Sequence, residues 1–138
     1  MAKNRLIIAD DDEDDRMLVL SAFQENKVDV HIDFANDGSE LMDILTKDKV
    51  ITSTLLILLD LNMPKKDGRE VLKEIKQDPR LKKIPVIVFT TAKNESEIRK
   101  CYDLGANTYI VKPDNFEDLR KVVLNLSTYW LETAVIPK

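Results

Sequence analysis

The segment TLLILLDLNMPKKDG, residues 54–68, joins an unbroken apolar run to a polar turn that ends in Asp67-Gly68. A short, nearly continuous apolar run is typical of a central strand in a parallel sheet, because helices cover both faces of such a strand. The proline and the Asp-Gly pair indicate that the strand ends at Leu59 and that a helix follows the turn. The segment therefore predicts one β-strand and the start of one α-helix.

The same alternation of short apolar runs and amphipathic stretches continues along the whole chain. Gly38 and Gly68 stand where helices should begin, and Gly105 stands where one should end. The last helix is predicted by an apolar stripe that starts at Phe116. The alternation predicts a (βα)₅ chain, with right-handed crossovers and helices on both faces of a parallel sheet. The other predicted strands are Leu6–Ala9, Val28–Ala35 (alternating, and so suited to a sheet edge), Pro85–Phe89 and Thr108–Val111.

Composition excludes several classes of protein. The 138 residues suffice for one domain, and the net charge of −4 without a basic stripe argues against nucleic-acid binding. The N-terminus lacks an apolar signal sequence, and no apolar run is long enough to span a bilayer. Cys101 is the only cysteine, so no disulfide can form within the chain. The composition indicates a cytoplasmic protein that binds neither membrane nor nucleic acid.

Polar residues follow four of the predicted strands. Ligands of parallel α/β sheets bind outside the carboxyl ends of the strands. We therefore expect carboxylates, a hydroxyl and an ammonium to meet at one rim of the sheet. These strand-end groups are Asp10-Asp11-Asp12, Asp60 with Asn62, Thr90-Thr91 and Lys112.

The first of these strand ends opens a run of six acidic residues, Asp10 to Asp15. Because the strand ends at Ala9, Asp10 and Asp11 should lie on the rim. Asp12 is placed to cap the following helix, and Asp15 is placed to complete a capping box with it. The run is thus expected to divide into two rim ligands and a helix start.

The rim residues suit phosphoryl chemistry. Clustered carboxylates need a cation between them, and oxygen ligands without His or Cys favour Mg²⁺ or Mn²⁺. A strand-end aspartate such as Asp60 can act as a nucleophile toward phosphorus. The charge of the transition state would then be stabilised by the metal and Lys112, and Thr90 could bind the phosphoryl group.

Four motifs resemble the receiver domain of two-component response regulators: the strand-end acidic pair, LLDLNMPKKDG (58–68), PVIVFTTA (85–92) and GANTYIVKP (105–113). The resemblance covers about residues 4–127, and it leaves residues 128–138 as a C-terminal helix extension of a single domain. It implies a flavodoxin-like, doubly wound sheet with strand order 2-1-3-4-5.

The resemblance also implies roles for the rim residues. Asp60 would accept a phosphoryl group from a histidine kinase. Asp11 would ligate Mg²⁺ directly and Asp10 more loosely, and the metal would also bind Asp60 and the backbone carbonyl of Asn62. Lys112 would contact the phosphoryl oxygens, ahead of a cis peptide bond at Pro113.

Two further residues would carry the switch. The resemblance implies that Thr90 is the switch hydroxyl, with Thr91 as the alternative, and that Tyr109 turns inward on activation. Signalling would then depend on protein contacts, through the fourth helix, fifth strand and fifth helix, because no DNA-binding module follows the receiver.

The C-terminal segment TYWLETAVIPK, residues 128–138, leaves two interpretations open. It either extends the last helix back onto its own core or forms a contact surface for a second copy or a kinase. This segment, together with the absence of an output domain, is similar to stand-alone receivers that partner bacterial phytochrome kinases. We therefore expect a histidine kinase, a downstream protein target and a homodimer among the partners.

Two other functions compete with the receiver. Haloacid-dehalogenase hydrolases also use an aspartate nucleophile, but they carry Asp-x-Asp after the first strand. Here the candidate nucleophile, Asp60, follows the third strand, and Asn62 stands where a hydrolytic acid would be. A receiver-like binding module would lack part of the rim set. We expect a protein that catalyses only its own phosphorylation and dephosphorylation.

Overall fold

The computed structural model describes residues 4–47 and 54–137, and Lys138 of the C-terminal segment lies outside them. Within these ranges, five parallel strands alternate with five α-helices, and the strand order is 2-1-3-4-5. The expected fold is therefore confirmed. The elements are β1 (Asn4–Ala9), α1 (Glu13–Glu25), β2 (His31–Ala35), α2 (Gly38–Lys47), β3 (Thr54–Leu59), α3 (Gly68–Gln77), β4 (Val86–Thr90), α4 (Glu95–Asp103), β5 (Thr108–Val111), α5 (Phe116–Ser127) and a π-helix (Thr128–Thr133).

Alternation along the central strands divides the core into two layers. On β3, Ile57 and Leu59 pack with α2 and α3, whereas Leu56 and Leu58 pack with α1 and α5. All four side chains are buried, which explains why the strand is apolar at successive positions. The central position of β3 places the residue after Leu59 in the middle of the rim.

Three strands have boundaries that differ from the sequence prediction. β1 begins at Asn4, two residues before the predicted Leu6. β2 begins at His31 rather than Val28, because pairing with β1 starts at Arg5 and His31. Val28 instead donates its N–H to the carbonyl of Phe23, and its side chain packs on the core from the loop. β4 runs from Val86 to Thr90 and so starts and ends one residue later than predicted. β2 lies at the sheet edge, as its alternating sequence predicts, and His31 is exposed there.

Gly105 ends the fourth helix as predicted. Its φ is +107°, a conformation that side-chain-bearing residues rarely adopt. This turn lets Ala106 donate its N–H to the carbonyl of Cys101 at 3.0 Å, which satisfies a helix-end carbonyl. The chain then enters β5 directly.

The C-terminal segment combines features of both interpretations. It continues α5 as the π-helix, in which Trp130 and Leu131 pack on the core. Tyr129 stays 54% exposed and meets Trp130 edge to face, with ring centroids 5.1 Å apart. Val135 is 97% exposed. Among the described residues, no helix has the length and apolar character needed to cross a membrane.

Candidate functional site

Asp10, the first residue after β1, is held by its backbone and its side chain. Its N–H donates to the carbonyl of Ala35 at 3.0 Å, and the guanidinium of Arg16 donates to its carbonyl at 2.7 Å. Its Oδ1 accepts the N–H of Asp12 at 2.9 Å. Asp10 is 3% exposed, so its carboxylate is fixed at the rim, and its other oxygen, Oδ2, faces the site.

Asp60 occupies the equivalent position after β3, as predicted. Its N–H donates to the carbonyl of Ala9 at 2.9 Å, and its Oδ1 accepts the N–H of Asn62 at 3.4 Å. The following turn closes tightly on Gly68, where an added Cβ would lie 2.5 Å from the Asp60 carbonyl oxygen and 2.7 Å from the Cα of Leu61. Glycine at position 68 is therefore required for the backbone around Asp60 to hold this shape.

Three carboxylates form a group that could hold a metal ion. Asp10, Asp11 and Asp60 each offer one oxygen, and these oxygens all lie within 4.8 Å of one another. Asp11 is exposed, whereas the other two are buried, so the group opens to solvent on one side. Oxygen donors of this kind fit a hard divalent cation. Three of the four residues predicted to bind the metal, Asp10, Asp11 and Asp60, are thus brought together.

Lys112 lies immediately after β5 and extends its ammonium into this group. Its Nζ lies 2.8 Å from Asp10 Oδ2, 3.1 Å from Asp15 Oδ2 and 3.4 Å from Asp60 Oδ2. Its backbone N–H donates to the carbonyl of Thr90 at 2.8 Å, which ties the end of β5 to the end of β4. One cation therefore bridges the ends of three different strands and the first turn of α1.

Burial and charge shift the ionisation of this pair. Burial raises the pKa of Asp10, and hydrogen bonds from Lys112 and the Asp12 N–H offset only part of the rise. Burial alone would lower the pKa of Lys112, but the hydrogen bond to Asp10 and the charge of Asp60 raise it well above its ordinary value. Lys112 therefore remains a cation at any physiological pH.

Thr90 carries a buried hydroxyl at the end of β4. The residue is fully buried, and among the described residues its Oγ1 finds no hydrogen-bond partner. Burial of a hydroxyl without a hydrogen-bond partner costs free energy, so an acceptor that enters the site would be bound favourably. Thr91, the alternative, is exposed and lies outside this environment.

Tyr109 packs its ring against the core layer formed with α2 and α3. Its hydroxyl donates to the carbonyl of Ala92 at 2.6 Å, in the loop that follows Thr90. Its own N–H donates to the hydroxyl of Tyr102 at 3.0 Å. Burial, the Cys101 thiol and the Glu97 carboxylate raise the pKa of Tyr109.

The structure corrects two local expectations and adds two residues. Asp12 caps α1 as predicted, but the N–H of Asp12 binds Asp10, and the carboxylate of Asp15 turns to Lys112 instead of completing a capping box. The prediction of a cis peptide bond before Pro113 is also wrong. That bond is trans, and the described residues contain no cis peptide bond. Sequence reasoning missed Arg16, and it assigned Asp15 to the helix cap rather than to Lys112.

Comparison with known proteins agrees with this geometry. The family model described as "Response regulator receiver domain" matches residues 6–124. Response regulator Rcp1 of Synechocystis sp. is 41% identical over 135 residues, which cover 96% of this chain and 92% of Rcp1. The probable methanogenesis regulatory protein FilR2 of Methanothrix harundinacea is 36% identical over 91% of this chain and 83% of its own length.

Solved structures are similar over almost the whole chain. The Mn²⁺-bound form of Rcp1 is 40% identical with a TM-score of 0.87, covering 97% of this chain and 99% of that one. The phosphorylated cyanobacterial phytochrome response regulator RcpA is 40% identical with a TM-score of 0.89, covering 97% and 98%. The chain therefore belongs to the response regulator receiver domain family.

Proposed function

We propose that this chain accepts a phosphoryl group on Asp60 from the phosphohistidine of a histidine kinase. The observation that carries the proposal is the ammonium of Lys112, which lies 3.4 Å from the Asp60 carboxylate and 2.8 Å from Asp10. A cation in this position can stabilise the negative charge of a phosphoryl group that enters beside the carboxylate. A similar protein, the cyanobacterial phytochrome response regulator RcpA, has been solved in a phosphorylated form, which supports the proposal.

In the proposed reaction, a carboxylate oxygen of Asp60 attacks phosphorus and forms the aspartyl-phosphate bond. The bond from phosphorus to the kinase imidazole breaks, and the imidazole nitrogen keeps the electron pair and takes a proton. Lys112 stabilises the charge on the phosphoryl oxygens. The Thr90 hydroxyl, which has no other partner among the described residues, would donate to one of these oxygens.

A divalent cation belongs to the proposal. Asp10, Asp11 and Asp60 would hold it, with the backbone carbonyl of Asn62 as a further ligand. Such a cation supplies positive charge that neutralises the phosphoryl oxygens. Mg²⁺ is the proposed ion and Mn²⁺ the substitute, since a relative has been solved with Mn²⁺.

Phosphorylation would act as a switch through Thr90 and Tyr109. New bonds from the phosphoryl group to Thr90 and Lys112 would shift the population between two conformations of the β4–α4 loop. The Tyr109 hydroxyl donates to the carbonyl of Ala92 in this loop, two residues after Thr90. A movement of Thr90 with the loop would therefore be transmitted to Tyr109. The output would be a protein–protein contact with a downstream target, made by α4, β5 and α5.

The proposed kinase is of the phytochrome type, since RcpA and the bacteriophytochrome response regulator RtBRR are among the similar structures. The proposed location is the cytoplasm, where a histidine kinase obtains ATP. We assign residues 4–127 to a single receiver and 128–138 to its extension.

A homodimer is proposed through the α4–β5–α5 face and the C-terminal extension. An apolar groove of about 370 Å³ runs between β5, α5 and the π-helix, with Ile110, Val122 and Trp130 in its wall. Tyr129 lines this groove and is exposed, and Val111, also exposed, is the last residue of β5. Deletion of residues 128–138 should weaken self-association in sedimentation, and an unchanged profile would contradict this part.

The phosphorylation itself is tested with Mg²⁺ and a small phosphodonor such as phosphoramidate, followed by intact-protein mass spectrometry. We expect the mass of one phosphoryl group to be added in the native chain and in Asp114→Asn, an exposed carboxylate near the rim. The adduct should be absent in Asp60→Asn. Rapid turnover of varied phosphoesters would favour the hydrolase, and absence of any adduct would favour a binding module.

A further inference from the structure

Lys112 distributes its ammonium over three carboxylates that differ in one respect. Asp10 and Asp60 belong to the group whose oxygens converge within 4.8 Å, together with Asp11. Asp15 does not belong to that group, although its Oδ2 lies 3.1 Å from the same ammonium. One of the three partners of Lys112 is therefore separate from the candidate metal ligands.

Asp15 is held in place to make this contact. Its N–H donates to the Asp12 side chain at 3.1 Å, so the first turn of α1 fixes its backbone. Its side chain is 40% exposed, whereas that of Lys112 is only 11% exposed. The Nζ of Lys112 lies over the Phe89 ring, 6.0 Å from the ring centroid. The ammonium thus reaches Asp15 from a packed position.

We propose that Asp15 is a positioning residue for Lys112. Its carboxylate pairs with the Lys112 ammonium when Asp10 and Asp60 bind a divalent cation. The proposal rests on the function proposed above. A lysine and a metal ion repel each other when they share carboxylates, so a cation at Asp10 and Asp60 must displace part of the Lys112 bonding. Asp15 gives the displaced ammonium a partner of opposite charge.

The same contact aims the lysine. With Asp15 on one side and the rim on the other, the ammonium stays beside the position that the oxygens of a phosphoryl group on Asp60 would take. Without Asp15, Lys112 would depend on Asp10 and Asp60 alone and would compete with the cation for both. Loss of the Asp15 charge should therefore weaken divalent-cation binding more than the loss of a neighbouring charge.

Mn²⁺ binding tests this directly, because the electron paramagnetic resonance signal of free Mn²⁺ measures affinity without any phosphorylation. We expect Asp15→Asn to weaken Mn²⁺ binding by about fivefold to tenfold. Asp14→Asn removes the same charge from an exposed position on the same turn and should change affinity by less than about twofold. Circular dichroism of both variants checks that α1 is intact.

A Lys112→Met background separates positioning from simple charge. If Asp15 acts through Lys112, then adding Asp15→Asn to Lys112→Met should cost no more affinity than Asp14→Asn. An equal loss with and without Lys112, or equal losses in Asp15→Asn and Asp14→Asn, would overturn the inference.

Asp11→Asn distinguishes this failure from failure of the proposed site. If Asp11→Asn abolishes Mn²⁺ binding while Asp15→Asn resembles Asp14→Asn, only the role of Asp15 is wrong. If Asp11→Asn binds Mn²⁺ like the native chain, the metal site and the inference both fail.

Discussion

The hydroxyl of Tyr109 donates a hydrogen bond of 2.6 Å to the backbone carbonyl of Ala92, two residues beyond Thr90. A side chain of β5 thereby holds the loop that leaves β4. Because the hydroxyl proton is the donor, this bond is lost both when Tyr109 is replaced by Phe and when Tyr109 ionises.

Tyr109→Phe should lower the free energy of unfolding by about 1 kcal/mol at pH 8. Burial raises the pKa of Tyr109 above its unfolded value near 10, so the native state holds this proton more tightly than the unfolded state. The contribution of this hydrogen bond to the free energy of unfolding is full below the pKa of Tyr109 in the unfolded state. It is lost as the pH rises through the pKa of Tyr109 in the folded state.

The difference between the native chain and Tyr109→Phe should therefore shrink above about pH 10, as measured by urea unfolding across the alkaline range. Tyr129→Phe is the matched control, because Tyr129 is more than half exposed, and it should show no such trend. A pH-independent difference for Tyr109→Phe would contradict the assignment.

Lys112→Met should lower the free energy of unfolding by about 3 kcal/mol at neutral pH, because it leaves the Asp10, Asp15 and Asp60 carboxylates without their shared cation. Added Mg²⁺ should restore part of the loss. Lys93→Met, at an exposed position, should stay within about 0.5 kcal/mol of the native value in the same urea titration. Equal stability of the two variants would argue against a structural role for the bridge.

Gly68→Ala should disturb the rim although the substitution adds one methyl group. The new Cβ would lie 2.5 Å from the carbonyl oxygen of Asp60, so the backbone must shift, at a cost of about 1–3 kcal/mol. We also expect slower labelling by a small phosphodonor. Glu70→Ala, exposed on the same helix, should leave both urea stability and labelling nearly unchanged. A native labelling rate in Gly68→Ala would contradict the expected shift of Asp60.

Trp130 should be a poor reporter of the site. It shares a groove with Thr108, the first residue of β5, whereas the site begins after the last residue of that strand, Val111. Intrinsic tryptophan fluorescence should therefore stay almost constant when Mg²⁺ is added to the native chain. Asp11→Asn provides the baseline without metal binding. A large quench in the native chain alone would refute the prediction.

The sequence pattern was sufficient for the alternation of strands and helices and for the rim, because both follow from features that repeat. The strand order was implied only by the resemblance to receiver domains. Burial on both faces makes a central strand such as β3 uniformly apolar. Strand ends are marked by the first polar residue, which located Asp10 and Asp60. Only the resemblance to receiver domains favoured Thr90 over Thr91, whereas in the structure the two residues differ in burial.

The misplaced details depend on contacts between distant parts of the chain. Asp15 has the spacing of a capping-box acid, but Lys112, 97 residues away, binds its carboxylate. Val28 and Val30 have the alternation of a strand, yet β2 begins at His31, which pairs with Arg5, and the two valines pack on the core from the preceding loop. Local pattern carries no information about such partners.

Lys112 is separated by 102 residues from Asp10 and by 52 residues from Asp60. Closing loops of this length is entropically costly, and contacts between distant segments form late relative to local ones. The ammonium reaches the carboxylates only after β5, the final strand in chain order, has docked beside β4. Under the proposed function, competence to receive a phosphoryl group therefore requires that β5 has docked, and a nascent or partly opened chain in which β5 is undocked would be silent in signalling.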